Sequence, residues 1–224
     1  MKLLASDYDK TLKNGSIILK LNLKYLKKFI QDGNIFLLNT GRPYKSIKKE
    51  IIKYNIPYHY LSCNDGNILF NHKDQVIYIS NLEKIIEKEL LDLTNISDFQ
   101  IIPIKYLSNV LEYEIIISKL NKLFLLNLDK IMIKYNMCYK IFKEKEIHIY
   151  IYSNLVSKSK PIDYIKNKEN IMDSNIYTVG DNINDLEMLR DYNGYAMYHA
   201  SKEIKEIAGK TCFSVSNLIR KLRR

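Results

Sequence analysis

The sequence is short of the residues that break or loosen regular structure. Its 224 residues include only seven glycines and four prolines. Collagen-like chains, flexible linkers and low-complexity segments need many more of these residues, so all three classes are excluded. Hydrophobic residues make up 46% of the chain and charged residues 27%. This is the balance of a globular protein that can bury a sizeable core.

Long apolar runs are absent as well. The apolar start of the chain, Met1–Ala5, is followed at once by Ser6 and Asp7. A secretory signal needs a longer apolar stretch, so we expect none. The longest internal apolar runs, such as Leu123–Leu126, are too short to cross a bilayer. We therefore expect no membrane partner.

Cysteine is also scarce. Cys63, Cys138 and Cys212 are odd in number, widely spaced and without a CxxC pair. A disulfide framework or a zinc site would need a different pattern. We interpret them as reduced, buried thiols and predict a cytoplasmic protein.

Basic residues outnumber acidic residues, with 35 lysines and arginines against 25 aspartates and glutamates. The formal net charge is +10, which is typical of proteins that attract nucleic acid or anionic substrates. The lysines are spread along the chain, however, and basic residues cluster only in the segment 220–224, which holds three arginines and one lysine. We favour a surface of solvated lysines, with some attraction for a phosphorylated substrate.

The spacing of apolar residues predicts an α/β fold with a parallel sheet. The apolar runs Lys2–Ser6, Asn34–Asn39 and Tyr60–Cys63 have the character of buried strands. Between them, Asn22–Asp32 and Pro43–Tyr54 carry apolar residues at helical spacing. Strands that alternate with helices are typical of a doubly wound parallel sheet.

The pattern changes near residue 75 and returns after residue 153. The segment between them is predicted to be an α+β block, whose polar side chains indicate a sheet with one face open to solvent. Its predicted strands are Val76–Ile79, Phe99–Ile104, Glu112–Ser118, Met137–Phe142 and Ile147–Tyr152, and its predicted helices are Leu82–Leu93 and Asn121–Tyr135. The α/β pattern resumes with a helix at Pro161–Asn167 and a strand at Ile176–Val179. We predict a core of residues 1–74 and 154–224 and an inserted α+β domain of residues 75–153.

Two acids follow the first predicted strand, in the segment Asp7-Tyr8-Asp9-Lys10-Thr11. A carboxylate can attack phosphorus and form an aspartyl-phosphate. Because nucleophile and phosphate are both anionic, a divalent cation would have to lie between them. A solvated acidic loop explains the same two residues equally well.

Polar residues also follow other predicted strands. Thr40 and Gly41 can donate hydrogen bonds to phosphate oxygens, although a plain loop is the favoured interpretation of these two residues taken alone. Lys158 or its neighbour Lys160 can neutralise charge on a transferring phosphoryl group. Because the carboxyl ends of parallel strands share one edge of a sheet, we expect these groups to meet there.

The last of these strands leads into Gly180-Asp181-Asn182-Ile183-Asn184-Asp185. Asp181 and Asp185 supply carboxylate oxygens, the ligands that Mg²⁺ prefers. The alternative is a turn in which Asp185 caps the following helix. Because an apolar strand and a glycine precede this segment, it is a stronger signal than the other polar segments.

In this order the motifs resemble those of the haloacid dehalogenase superfamily of phosphatases, specifically its Cof-like branch, which has a large type IIB cap after the third core strand. Four segments carry the resemblance: Asp7–Thr11, Asn39–Arg42, Val156–Lys158 and Gly180–Leu189. Two positions depart from the pattern. Lys10 stands where a glycine is usual, and Asp65 stands within the turn that reads Asn-Gly in this branch.

The resemblance implies a Rossmann-like core and a Mg²⁺-dependent reaction. It implies that Asp7 is the nucleophile and a metal ligand. Asp9 would be the acid and base, and would ligate the metal through its backbone carbonyl. Asp181 would be a metal ligand, and Asp185 would support the metal directly or through water.

The resemblance also implies a phosphate clamp. Thr40 and Gly41 would bind the phosphoryl oxygens, with Lys158 and Asn184 completing the set. Lys158 is selected over Lys160 because it follows the Val-Ser pair of the motif.

The implied function is hydrolysis of small phosphorylated metabolites, among which sugar phosphates are the favoured class. One alternative is a phosphomutase of the same superfamily, which would return the phosphoryl group to its substrate. The other is a non-catalytic protein that binds phosphorylated ligands or nucleic acid through its positive charge. A pure binder needs no second carboxylate beside a nucleophile, so the phosphatase is favoured and nucleic acid is not expected as a partner.

Overall fold

The computed structural model describes residues 1–80, 82 and 85–223. The first part of the chain alternates strands and helices and then turns back in two antiparallel strands. Its elements are β1 (Leu3–Ser6), α1 (Ser16–Gln31), β2 (Ile35–Asn39), α2 (Tyr44–Tyr54), β3 (Tyr60–Cys63), β4 (Ile68–Asn71) and β5 (Val76–Ile79). Strands β1 to β3 are buried along their whole length, as is typical of parallel strands covered on both faces.

The middle of the chain forms a separate antiparallel sheet with two helices. Its elements are α3 (Ile85–Asp92), β6 (Phe99–Tyr106), β7 (Asn109–Ile117), α4 (Lys122–Lys134), β8 (Met137–Lys143) and β9 (Ile147–Ser153). The strand order is β6-β7-β9-β8. Tyr113 and Ile115 of β7 are fully buried, whereas Glu112 and Glu114 on the opposite face are only half-buried, so one face packs and the other stays polar. Residues 83 and 84 of the predicted helix Leu82–Leu93 lie outside the described residues.

The last part of the chain returns to alternating helices and strands. Its elements are α5 (Lys160–Glu169), β10 (Ile176–Gly180), α6 (Leu186–Asp191), β11 (Asn193–Met197), α7 (Lys202–Ala208), β12 (Thr211–Cys212) and α8 (Val215–Leu222). The core sheet has the order β12-β11-β10-β1-β2-β3-β4-β5. The six strands from β12 to β3 are parallel. The predicted α/β class with a parallel-sheet core is therefore confirmed.

The chain divides into two compact units. Met1–Ile79 and Ser157–Arg224 form one, and Ser80–Val156 forms the other. The prediction that β5 belongs to the inserted block was wrong, because β5 pairs with β4 at the edge of the core sheet. The change of sequence pattern near residue 75 comes after the switch from parallel to antiparallel pairing, which occurs at β4, and a few residues before the insertion begins.

Helix α1 begins six residues before the predicted start at Asn22. Asn22 was interpreted as the start of the helix, but it is fully buried inside it. Its side chain donates to the carbonyl of Leu12 (2.8 Å) and accepts from the backbone N–H of Ser216 (2.8 Å). The first turn was missed because Ile17 is exposed, which hides the helical period.

Two further expectations concern cysteines and membranes. All three cysteines are free thiols, with Cys63 and Cys212 buried and Cys138 half-buried. Among the helices in the described ranges, none has both the length and the apolar character that a membrane crossing requires.

Leu128 and Ile133 on helix α4 test the packing of the inserted unit. Leu128 is fully buried and Ile133 is 82% exposed. Leu128→Ala should lower the free energy of unfolding by about 2–5 kcal/mol, because it opens a cavity in the core. Ile133→Ala should change it by less than about 0.5 kcal/mol. Urea denaturation followed by circular dichroism measures both, and equal effects would contradict this packing.

Candidate active site

Three parallel strands bring the predicted residues to one edge of the core sheet. Strand β1 lies between β2 and β10, with Leu3 in register with both Ile35 and Ile176. The three strands therefore end side by side, and their next residues are Asp7, Thr40 and Asp181. The carboxyl edge of a parallel sheet is where ligands bind in such folds.

Three carboxylates meet at this edge. Asp7, Asp181 and Asp185 each offer an oxygen, and these atoms all lie within 4.8 Å of one another. Asp185 is fully buried. One of its oxygens accepts hydrogen bonds from the backbone N–H groups of Asp181 (2.9 Å) and Asn182 (3.0 Å). Asp185 thus supports the turn before α6 but makes no side-chain cap hydrogen bond to that helix, and its other oxygen faces the cluster.

The ammonium group of Lys158 joins two of these acids. Its Nζ donates to Oδ1 of Asp7 and to Oδ1 of Asp185, both at 2.7 Å, and the side chain is completely buried. Lys160 instead lies 3.9 Å from Asp163 with about half of its side chain exposed. The structure therefore brings Lys158 into the cluster and leaves Lys160 on the surface.

Burial and mutual repulsion shift the acidity of the cluster. Loss of hydration raises the pKa of Asp7 to about 7, because the neighbouring Lys158 lowers it less than burial and the acids Asp185 and Asp181 raise it. Burial alone would lower the pKa of Lys158, but the carboxylates of Asp185, Asp7 and Asp65 raise it above its ordinary value.

These residues fit a divalent cation. Three carboxylates surround a single ammonium, so the cluster holds more negative charge than it can neutralise, and burial makes that excess costly. The donors are carboxylate oxygens, which is the set that Mg²⁺ prefers. Thr11 fixes one of them, since its hydroxyl donates to Oδ1 of Asp181 at 2.8 Å.

The proposed phosphate clamp also comes together. Thr40 is buried and its Oγ1 accepts from the backbone N–H of Arg42 at 3.1 Å. Asn184 donates from Nδ2 to Oδ1 of Asp65 at 2.7 Å. The same Asp65 oxygen would lie 2.8 Å from a Cβ placed on Gly41. Gly41 and Asn184 thus lie beside the carboxylate of Asp65, and the backbone carbonyl of Thr40 accepts a hydrogen bond from the backbone N–H of Asp65 at 3.2 Å.

Asp9 is placed differently from the three clustered acids. Its carboxylate is half exposed and pairs with the guanidinium of Arg42 through two hydrogen bonds of 2.6 Å. This pair raises the pKa of Arg42. In this arrangement the side chain of Asp9 is held at the mouth of the site and not within the cluster.

The sequence interpretation missed four side chains at this edge. Thr11 and Arg42 stand inside quoted motifs, and each contacts a predicted acid. His199 lies 3.6 Å from Oδ2 of Asp181. Asp65 was noticed only as a departure from the usual turn. Thr11 and Arg42 could have been found from the sequence, because both stand inside the segments that carry the resemblance. The positions of His199 and Asp65 depend on the geometry of loops, which the sequence pattern does not give.

Comparison with known proteins gives the family. A sequence profile of haloacid dehalogenase-like hydrolases matches residues 4–108 and 94–217. The chain belongs to this family. The predicted superfamily is therefore confirmed. The predicted enzyme class, a phosphatase of the haloacid dehalogenase type, is confirmed as well.

Individual members of the haloacid dehalogenase-like hydrolases are distant in sequence. An uncharacterised protein of Mycoplasma capricolum subsp. capricolum is 26% identical, with 97% of each chain covered. The phosphatase BT1666 from Bacteroides thetaiotaomicron is 16% identical, with a TM-score of 0.77 and coverage of 100% of this chain and 94% of that one. The subclass IIB sugar phosphatase BT4131 is 17% identical, with a TM-score of 0.71 and coverage of 100% and 98%. At these identities the two structures show a shared fold.

The raised pKa of Asp7 makes the stability of the metal-free hydrolase depend on pH. The folded state holds this proton up to about pH 7, whereas the ordinary pKa of the group is 3.8. Between these values the folded state binds more protons than the unfolded state, so the free energy of unfolding should fall as the pH rises. The stability present below about pH 4 is lost by about pH 7.

Asp7→Asn cannot ionise and should remove this contribution. In EDTA, its Tm relative to wild type should therefore be higher at pH 8 than at pH 5. Thermal unfolding at several pH values measures the difference. Asp173→Asn, a change at an exposed acid, serves as the control and should run parallel to wild type. A parallel curve for Asp7→Asn would contradict the raised pKa.

Proposed function

We propose that this hydrolase is a Mg²⁺-dependent phosphatase that acts on small phosphorylated metabolites, with sugar phosphates as the favoured class, through an aspartyl-phosphate on Asp7. One observation carries the proposal. Lys158 contacts both Asp7 and Asp185 in a buried cluster that also includes Asp181. A nucleophilic carboxylate, a cation for the phosphoryl group and the ligands for a metal are thus within reach of one another.

In the proposed reaction, Oδ of Asp7 attacks phosphorus while the bond to the leaving oxygen breaks. Asp9 gives a proton to that oxygen, which leaves as an alcohol. Asp9 then takes a proton from water as the water attacks phosphorus. The bond between phosphorus and the Asp7 oxygen breaks, which releases orthophosphate and restores the Asp7 carboxylate. To transfer these protons, the carboxylate of Asp9 must turn away from Arg42, its partner in this structure.

The other residues bind and orient the phosphoryl group. Lys158 neutralises its charge and holds Asp7 in position, while Thr40, Gly41 and Asn184 donate hydrogen bonds to its oxygens. Asp7, Asp181, Asp185 and the backbone carbonyl of Asp9 would hold Mg²⁺. When bound, the cation would weaken the repulsion between the Asp7 carboxylate and the anionic phosphate.

The substrate class rests on chemistry and on relatives together. The fold is shared with BT4131, a sugar phosphatase, and the net charge of +10 favours anionic substrates.

A cytoplasmic location remains a prediction, based on three free cysteines.

Asp7→Asn tests the nucleophile. The variant should lose at least about a hundredfold in kcat with p-nitrophenyl phosphate, because an amide oxygen does not form the covalent intermediate. Release of p-nitrophenolate in Mg²⁺ buffer measures the rate, and circular dichroism checks the fold. Asp173→Asn serves as the control and should stay within twofold of wild type. A loss of less than tenfold, about 1.4 kcal/mol, would contradict the mechanism.

Metal removal tests the role of the three clustered acids. EDTA should abolish hydrolysis, and excess Mg²⁺ should restore it. Ca²⁺ should restore it poorly, because it takes more ligands at longer distances and would misplace Asp7 relative to phosphorus. The same assay with each metal measures this, and full activity in excess chelator would refute the metal site.

A further inference from the structure

The turn after strand β3 is tied to the phosphate clamp by its backbone. The N–H of Asn64 donates to the carbonyl of Arg42 at 3.1 Å, and the N–H of Asp65 donates to the carbonyl of Thr40 at 3.2 Å. Asp65 has a left-handed backbone with φ of 53°, a conformation that Asp and Asn adopt more readily than most residues. These bonds hold Asp65 directly beside the segment that contains Gly41.

The side chain of Asp65 then lies where the clamp would receive an anion. Its Oδ1 accepts a hydrogen bond from Nδ2 of Asn184 at 2.7 Å. The same atom lies so close to Gly41 that a Cβ there would be only 2.8 Å away. Both neighbours are residues assigned above to the phosphoryl oxygens, so one oxygen of Asp65 occupies the space between two clamp groups.

The backbone of this turn cannot easily withdraw. Gly66 has a φ of +101°, and a Cβ at this position would lie 2.1 Å from the carbonyl oxygen of Ser157, the residue before Lys158. The turn is therefore packed against the segment that carries the catalytic lysine. The carboxylate of Asp65 can leave the clamp only by rotation of its own side chain.

We propose that the carboxylate of Asp65 is an internal competitor of the substrate's phosphoryl group: it occupies the clamp of the ligand-free enzyme and is displaced when a phosphate ester binds. The inference rests on the proposed function, because it takes Gly41 and Asn184 as phosphate-binding groups. Asp65 and the phosphoryl group are both anionic and need the same donor, so they do not share the clamp without a large electrostatic cost.

This competition weakens binding without slowing the chemical step. A binding site that is filled by its own side chain for part of the time has an apparent affinity reduced by the fraction that is open. Substrate and transition state both require Asp65 to be displaced, so both meet the same cost. Removing the carboxylate should therefore lower KM and leave kcat unchanged.

Asp65→Asn is the first test, because it keeps the shape of the side chain and removes its charge. We expect the Kd of orthophosphate, measured by calorimetry in Mg²⁺ buffer at low salt, to fall about five- to tenfold. The KM for p-nitrophenyl phosphate should fall by a similar factor, with kcat within twofold. Asp65→Gly should behave alike, since glycine accepts the left-handed backbone without strain.

Glu203→Gln serves as the matched control. Glu203 lines a cavity of about 330 Å³ with Asp181 and His199, so the variant loses one negative charge near the site but outside the clamp. Its orthophosphate Kd should change less than twofold. An equal gain in affinity for Glu203→Gln and Asp65→Asn would overturn the proposal in favour of a general charge effect.

Two other results would also overturn it. An unchanged Kd would show that Asp65 does not compete. A higher KM with a lower kcat would show that Asp65 positions Asn184 for catalysis. Calorimetry needs no turnover, so it tests the competitor even if wild type hydrolyses no ester. In that case the proposed function fails while the inference is still decided by orthophosphate binding.

Discussion

The pair of hydrogen bonds from the Lys158 ammonium to Asp7 and Asp185 is the contact on which the rest of the site depends. A buried ammonium without partners would lose several kcal/mol of hydration energy, so the lysine requires both acids. The acids in turn require the lysine, because two carboxylates this close together would repel each other in a site that excludes water. The cluster is stable only as a set, and its remaining negative charge suits it to a divalent cation.

The strand order explains how partners so distant in the chain meet. Asp7 follows the central strand β1, and Lys158 and Asp185 come from the segments on either side of β10. Asn39 at the end of β2 makes one more contact with this segment, because its Nδ2 donates a hydrogen bond to the backbone carbonyl of Lys158 at 2.8 Å. The lysine is thus held by the neighbouring strand through its backbone and by the acids through its side chain.

Much of this arrangement could be predicted from the sequence, because apolar strands mark where a parallel sheet ends. Asp7 and Asp181 directly follow such strands and Asp185 lies in the turn after β10, whereas Lys158 was selected by its motif because no strand of the parallel sheet precedes it directly. All four residues meet in the structure. The pairing of Asp9 with Arg42 could not be predicted, because it depends on side-chain rotation at an exposed position.

Other features were hidden by short or mixed patterns. Strand β4 spans only Ile68–Asn71, too short a run to show a period. The basic segment 220–224 includes the end of helix α8, which buries Leu218 and Ile219, and Arg223 pairs with Asp32. Its charges lie on the solvent side of an amphipathic helix, so the charge run says little about nucleic acid. Arg224 lies outside the described residues.

The pairing of β1 with β10 also decides when the enzyme can acquire its site during synthesis. Val179, which accepts a hydrogen bond from the N–H of Asp7, leaves the ribosome more than 170 residues after Asp7. Until then the central strand lacks one neighbour, and Asp181 and Asp185, which follow β10, are still missing. A nascent chain can therefore form local helices and the middle unit early, but contacts between distant segments come late. The candidate site is therefore complete only after β10 and the turn that carries Asp185 have been made.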